Sequence, residues 1–217
     1  MDATFNLAPL VIVMPLAGLL INLLFGRRFA YPVAGVIASI AAAASFAIAV
    51  ILALALAPQP ETIAVVHIAQ WMSVGNFSVD WALRVDTLSV TMMLVVAGVG
   101  TLIHIYAIGY MRADVVHNGE PSRYARFFVF FSLFIVAMMI LVTANNYLVL
   151  FIGWEGVGLC SYLLIGFWFE KGAGGMGNAK AATKAFVVNR IGDFGLLIAI
   201  FLLFWNFGSL DFDAVFA

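Results

Sequence analysis

Charge is what this sequence has least of: only 10% of its 217 residues are Asp, Glu, Lys or Arg, against roughly 25% in an ordinary globular domain. So few charges cannot cover a water-facing surface, and with 65% of the chain apolar the sequence is that of a membrane protein. The charges present nearly cancel, 10 Lys and Arg against 11 Asp and Glu. That balance removes the electrostatic basis for binding nucleic acid. Cysteine is reduced to Cys160, which excludes an intrachain disulfide and any multi-cysteine metal site. Histidine is scarce too. His67 and His117 fall in loops on opposite sides of the segmentation below, and His104 lies inside a span, so no facing pair exists to ligate a haem. No metal and no cofactor is expected on this chain.

What the sequence has in plenty is long apolar runs. A bilayer core requires roughly 20 apolar residues per helix. Cutting wherever charges or turn residues interrupt gives spans at residues 5–25, 31–57, 87–111, 124–143, 146–168 and 184–206. The run from 127 to 169 is too long for one helix, and Thr143-Ala144-Asn145-Asn146 is its natural turn. The expected fold class is therefore all-α, an integral membrane protein of six transmembrane helices. Assigning loops alternately puts Arg27, Arg28, Arg112, Arg123, Arg126, Lys171, Lys180 and Lys184 on one side and Arg84 alone on the other. The positive-inside rule then predicts an external N-terminus.

The long external segment, residues 61–86, has a period of its own. Phe77, Val79, Trp81, Leu83 and Val85 alternate with Ser78, Asp80, Ala82, Arg84 and Asp86, the pattern of a half-buried strand. With residues 62–71 as partner across Ser73-Val74-Gly75-Asn76, this predicts a β-hairpin on the outer face between helices 2 and 3. Asp86-Thr87 reads as a helix N-cap. The glycine-rich stretch 171–178 reads as a flexible cytoplasmic connection.

A few polar residues interrupt the spans, and these are the candidates for chemistry. Glu155 lies roughly 14 Å into the fifth span at 1.5 Å per residue, near the midplane. A carboxylate there must take up a proton or find a cation, which makes it a candidate proton carrier. Gly158 and Tyr162 share its face at i+3 and i+7. Arg190 and Asp193, i and i+3 on the sixth span, are placed to pair on one helix face. They either neutralise each other for packing or wall a hydrated path that reaches Glu155. His104, whose side chain titrates near neutrality when unperturbed, and Lys184, at the cytoplasmic edge, are lesser candidates for a proton relay. Gly153, Gly156 and Gly158 point to close helix packing, and Cys160 to a small buried apolar residue.

The stretches VDTLSVTMMLVVAGVGTLIHIYAIGYM, LVTANNYLVLFIGWEGVGLCSYLLIGFWF and KAFVVNRIGDFGLLIAIF resemble the first third of subunit L of bacterial NADH:quinone oxidoreductase, the counterpart of mitochondrial chain 5. The GWEGVG and NRIGD blocks carry the resemblance, which runs from the first span to the last residue. It implies an antiporter-like helix bundle built from inverted repeats, with residues 1–217 forming the N-terminal part of that membrane domain. The implied role is proton translocation in the membrane arm of complex I, as a translocase subunit without redox groups of its own. NADH, FMN, iron–sulfur clusters and quinone would belong to partner subunits.

In such a bundle Glu155 corresponds to the midplane glutamate of helix five, and Arg190 and Asp193 to charged residues of helix six near it. The partner lysine of a broken helix seven has no counterpart before Ala217, so the chain reads as an N-terminal fragment that is inactive alone. The implied partners are other membrane-arm subunits and the lipid bilayer, rather than copies of itself. The implied location is the bacterial inner membrane, or the mitochondrial one if the chain is organellar. Two other readings are a large subunit of a multisubunit sodium/proton antiporter and a non-transporting scaffold in which every buried charge is structural.

Overall fold

The computed structural model describes residues 3–75, 77–113, 121–170 and 172–216. His117 and Lys171, both used in the loop assignment, lie outside the described residues. The apolar runs fold as helices because lipid offers the backbone no hydrogen-bond partner and each segment must satisfy its own. These are α1 (Leu10–Phe25), α2 (Val33–Leu56), α3 (Thr87–Tyr110), α4 (Pro121–Thr143), α5 (Tyr147–Ile165) and α6 (Gly172–Phe207). A 3-10 turn, Ala3–Leu7, precedes α1, and a short α7 (Phe212–Phe216) follows α6. The six longer helices, α1 taken with its flanking 3-10 turns as residues Ala3–Arg28, are long and apolar enough to cross a membrane.

One segment departs from expectation. The glycine-rich stretch expected to form a loop is helical from Gly172 onward and forms the first turns of α6. Each glycine there costs roughly 1 kcal/mol relative to alanine. Ala179, Lys180, Ala181, Ala182 and Lys184 follow as strong helix formers, and the helix they nucleate extends back through the glycines.

α1 to α4 form the tight part of the bundle. Leu52, Met93, Ile135 and Met139 meet at its centre, fully buried. Two side chains stitch α1 to α2: Asn22 Nδ2 donates to the Ala34 carbonyl at 2.9 Å, and Ser45 Oγ donates to the Val11 carbonyl at 2.6 Å. Fully buried donors of this kind hold register as well as energy. α5 packs on α4, and α6 packs on α5 at the edge of the bundle.

The hairpin is present as β1 (Ala64–Val74) and β2 (Phe77–Val85), antiparallel, with Val74 opposite Phe77 and Ala64 opposite Val85. Gly75 opens the turn at φ +59°, a left-handed conformation that glycine adopts without strain. The hairpin spans the helix ends. Ala64, Leu83 and Val85 join the α1–α4 core, whereas Val79 packs with Ile200 of α6 and Leu210.

Asn146 fastens the α4–α5 turn to this hairpin. Its Oδ1 accepts from the Val149 backbone N–H at 2.9 Å and caps α5, while its Nδ2 donates to the Asp80 carbonyl at 2.9 Å. Asp86 caps α3 through a capping box with Ser89 and pairs with Arg84 at 2.8 Å; Arg84 also reaches Asp213 at 2.7 Å. Burial opposes ionisation of Asp86, but hydrogen bonds from Ser89 and the Arg84 guanidinium outweigh it and hold the carboxyl below its usual range. Burial, followed by the neighbouring Asp80 and Asp213, raises Asp211 above its own.

The two ends of the bundle thus differ in chemistry. The hairpin end carries Asp80, Asp86, Asp211 and Asp213, of which Asp86 and Asp213 pair with Arg84. At the opposite end Ala34, Met111, Tyr124 and Phe167 form a second apolar cluster, close to Arg27, Arg123 and Arg126.

The double role of Asn146 is testable in the full-length protein by thermal unfolding in detergent. Asn146→Ala should cost about 1 kcal/mol for the lost cap and about 1 kcal/mol more for the lost hairpin bond. Asn146→Asp keeps the acceptor and should lose only the second. No loss in Asn146→Asp would show that the hairpin link carries nothing, and equal losses in the two variants that the cap carries nothing.

Candidate functional site

The interrupted faces of α5 and α6 meet. Gly153 and Gly156 turn one side of α5 toward α4 so closely that a Cβ at 153 would lie 2.5 Å from the Leu141 nitrogen, and one at 156 would lie 2.9 Å from Ala137 Cβ. With its small residues pressed on α4, the helical period aims Trp154, Glu155 and Gly158 away from α4 toward α6. Gly158 has nothing within 4 Å of where its Cβ would be, so of the three glycines expected to serve packing, only two do.

Opposite them on α6 stand Arg190 and Asp193. The Arg190 guanidinium donates directly to Glu155 Oε2, an interhelical ion pair. Arg190 Nε also lies 3.8 Å from Asp193 Oδ2. Asp193 is held by the Trp154 indole, whose Nε1 donates to Oδ1 at 2.7 Å. Asp193 is only 5% exposed, whereas the Arg190 side chain is 48% exposed and lies 4.7 Å over the Phe186 ring. One carboxylate is therefore anchored and buried. The other is tied to a cation that keeps an open side.

Beside the ion pair a cavity of ≈ 460 Å³ runs between α4, α5 and α6, lined by Leu141, Gly158, Ser161, Asn189 and Asp193. Its walls are mostly apolar, with Ser161, Asn189 and Asp193 as the polar groups that water could bridge. α6 leaves its far face bare, with Trp205 87% exposed.

The structure brings Glu155, Arg190 and Asp193 into one constellation, with a different pairing from the one the spacing suggested. The i,i+3 pair on α6 exists but is long, and the closer partner of Arg190 is Glu155 on the next helix. Trp154 escaped the sequence reading. Its available signal was chemical, since an indole N–H inside an apolar layer needs an acceptor.

The two lesser candidates stand apart from this group. His104 is fully buried between α3 and α4, stacked on Phe131 with ring centroids 4.2 Å apart. Its Nδ1 lies 2.7 Å from the Gly100 carbonyl, so Nδ1 carries the proton, and Nε2 is buried without a partner. Lys184 is exposed on α6, about 9 Å along the helix from Arg190. No hydrogen bond among the described residues joins either of them to Glu155. The described residues contain no cluster of three or more His, Cys, Asp or Glu able to hold a metal.

The pairing can be measured as a coupling in the full-length protein. Glu155→Gln and Arg190→Gln should each destabilise it, and the double variant should lose less than the two singles together by about 1 kcal/mol or more. Arg190→Gln with Asp193→Asn should show a smaller coupling, because that contact is longer. Strict additivity for Glu155 and Arg190 in thermal unfolding would mean that the ion pair does not form.

Comparison with known proteins agrees with this architecture. Residues 71–128 match the family model of the complex I chain 5 N-terminus, and residues 144–217 match that of the NADH:quinone oxidoreductase/Mrp antiporter transmembrane region. Subunit L of the NADH-quinone oxidoreductase of Mycobacterium tuberculosis is 43% identical over 210 residues, covering 96% of this chain and 31% of that protein. The Escherichia coli subunit L is 40% identical, covering 95% and 32%, and chain 5 of Allomyces macrogynus is 44% identical, covering 69% and 22%. The chain spans about a third of the length of the bacterial relatives it matches. Among solved structures, the Mrp complex from Dietzia sp. DQ12-45-1b superposes with TM-score 0.73 at 24% identity, over 96% of this chain and 20% of that one. An archaeal membrane-bound sulfane sulfur reductase gives 0.74 at 16% identity, over 97% and 39%; both show the shared fold alone. By the two family models and by relatives matched along almost its whole length, the chain belongs to the family of NADH:quinone oxidoreductase subunit L and its mitochondrial counterpart, chain 5.

Proposed function

We propose that this chain forms part of a proton-translocating subunit in the membrane arm of complex I, with Glu155 as the exchanging carboxylate. The observation that supports the reading most is the Glu155–Arg190 contact across α5 and α6, beside a cavity that Ser161, Asn189 and Asp193 help to line. A guanidinium stays charged throughout, so it acts as a movable counter-charge. When Glu155 takes a proton, Arg190 loses its partner, and its nearest alternative is Asp193 at 3.8 Å. Movement of Arg190 between the two carboxylates couples the protonation of Glu155 to the position of a charge. A further cation drawing near or away would drive the same exchange, since ion pairing and protonation compete for one carboxylate.

Water in the cavity would bring protons to this group, with His104 and Lys184 as lesser relays from separate parts of the bundle. NADH oxidation and quinone reduction, with FMN and iron–sulfur clusters, would take place in partner subunits and supply the driving force. The hairpin and the N-terminus would face the outside of the bacterial inner membrane, or the intermembrane side in a mitochondrion, leaving the arginine-rich end inside.

A sodium/proton antiporter subunit is the nearest rival, since residues 144–217 match a family model shared by both kinds of protein. The match of residues 71–128 to the complex I chain 5 N-terminus and the 43% identity to a subunit L favour the oxidoreductase.

In the full-length assembled complex, Glu155→Gln should leave the subunit level near wild type while proton pumping falls at least tenfold. Glutamine preserves size and hydrogen bonding but cannot change protonation. Pumping per NADH equal to wild type would assign Glu155 to structure alone, as the scaffold reading requires. Orientation is checked separately in a Cys160→Ser background. Ser73→Cys in the hairpin should react with a membrane-impermeant maleimide in intact cells, and Ala30→Cys only after permeabilisation; the reverse pattern would invert the topology.

A further inference from the structure

A second polar feature lies far from Glu155, at the arginine-rich end of the bundle. Arg27 at the end of α1 and Arg123 and Arg126 in the first turns of α4 line a cavity of ≈ 370 Å³ together with Glu170 and the apolar Leu23 and Phe130. Among the described residues that line it, three guanidiniums stand beside one carboxylate. Glu170 is committed to Arg123 at 3.2 Å. Arg126 lies 5.5 Å over the Phe167 ring, and its Nε is buried without a hydrogen-bond partner.

The placement deepens the imbalance. Arg123 lies in the first turn of α4, where the helix dipole is already positive, and Arg126 one turn further on. Among the described residues the cleft therefore has more guanidiniums than carboxylates, and one of those guanidiniums keeps a buried N–H without a hydrogen-bond partner. Its apolar wall continues onto bare helix surface, since Leu23 and Leu24 of α1 are 58% and 69% exposed. A free phosphate has no use for that wall. An amphiphile with an anionic head does.

We propose that this cleft binds an anionic phospholipid, its phosphate between Arg27 and Arg126 and one acyl chain along Leu23 and Phe130. Basic pockets between helices near a membrane surface recognise such headgroups by charge, and the apolar strip selects the lipid over a soluble anion. Arg126 also lines an adjoining cavity of ≈ 310 Å³ beside Tyr162 and Phe167, which gives a second chain a place to lie. Bound there, the lipid would tie α1 to α4 at the end of the bundle opposite the hairpin. The inference does not depend on the role of Glu155.

The test uses the full-length protein in its assembled complex, with photoactivatable phosphatidylglycerol or phosphatidylcholine and mass-spectrometric mapping of crosslinked peptides. Phosphatidylglycerol should label the peptides containing Leu23 and Phe130, and phosphatidylcholine should label them weakly. Arg27→Gln, an exposed change that the fold tolerates, should lower that labelling about fivefold. Arg27→Gln with Arg126→Gln should lower it by about fivefold for each arginine. Labelling elsewhere on the chain should stay unchanged and thereby report an intact fold. Unlabelled phosphatidylglycerol should compete and inorganic phosphate should not. Equal labelling by the two lipids, labelling unaffected by Arg27→Gln, or effective competition by inorganic phosphate would each overturn the proposal.

Discussion

A charge inside an apolar layer must keep a counter-charge within reach, and this requirement organises the α5–α6 half of the molecule. Glu155 and Arg190 satisfy it across two helices, Asp193 through an indole N–H and a more distant approach to the same guanidinium. The contact becomes possible only because Gly153 and Gly156 bring α5 onto α4 and so leave its polar face for α6. Close backbone packing on one side and ion pairing on the other are two results of one helical period. A larger residue at 153 would disturb both.

The remainder of the bundle supplies a frame for that contact. α1 to α4 are stitched by buried side-chain donors and a continuous apolar core, whereas α6 rests on α5 and on the hairpin. The hairpin joins the two parts, with Leu83 and Val85 in the tight core and Val79 against the C-terminal part of α6. Asn146 adds a polar link at the point where α4 turns into α5. The bundle is therefore braced at its acidic end. The basic end is held by the apolar cluster of Ala34, Met111, Tyr124 and Phe167 and by the Arg123–Glu170 pair, and its cleft of arginines is where a lipid headgroup would add a further tie.

Helix ends follow the same economy of polar groups. Asp86 and Asn146 each give a side-chain oxygen to an otherwise unpaired backbone N–H, and each also holds a neighbour in place, Arg84 in one case and Asp80 in the other. A residue with two acceptor or donor groups at a helix start thus sets both the helix boundary and the docking of the segment beside it.

The local features of this protein were legible in its amino-acid sequence. Six apolar runs give six helices because lipid leaves the backbone no alternative. The alternation from Phe77 to Val85 gives a strand, Asp86 a cap, and the lone acidic residue of the fifth run a candidate site, each by a rule that operates within about ten residues. Those rules misjudged the glycines after Lys171, where helix formers further along outweighed the local propensity for a turn. What only the tertiary structure decided is which residues meet. Arg190 turns from Asp193, three residues away, to Glu155 on another helix; Trp154 finds Asp193; the hairpin closes over the helix ends; and Arg27 comes to face Arg126. Such contacts depend on how each helix is rotated about its axis and which neighbour it packs on, and that rotation is set by the fit of small residues such as Gly153 against Leu141.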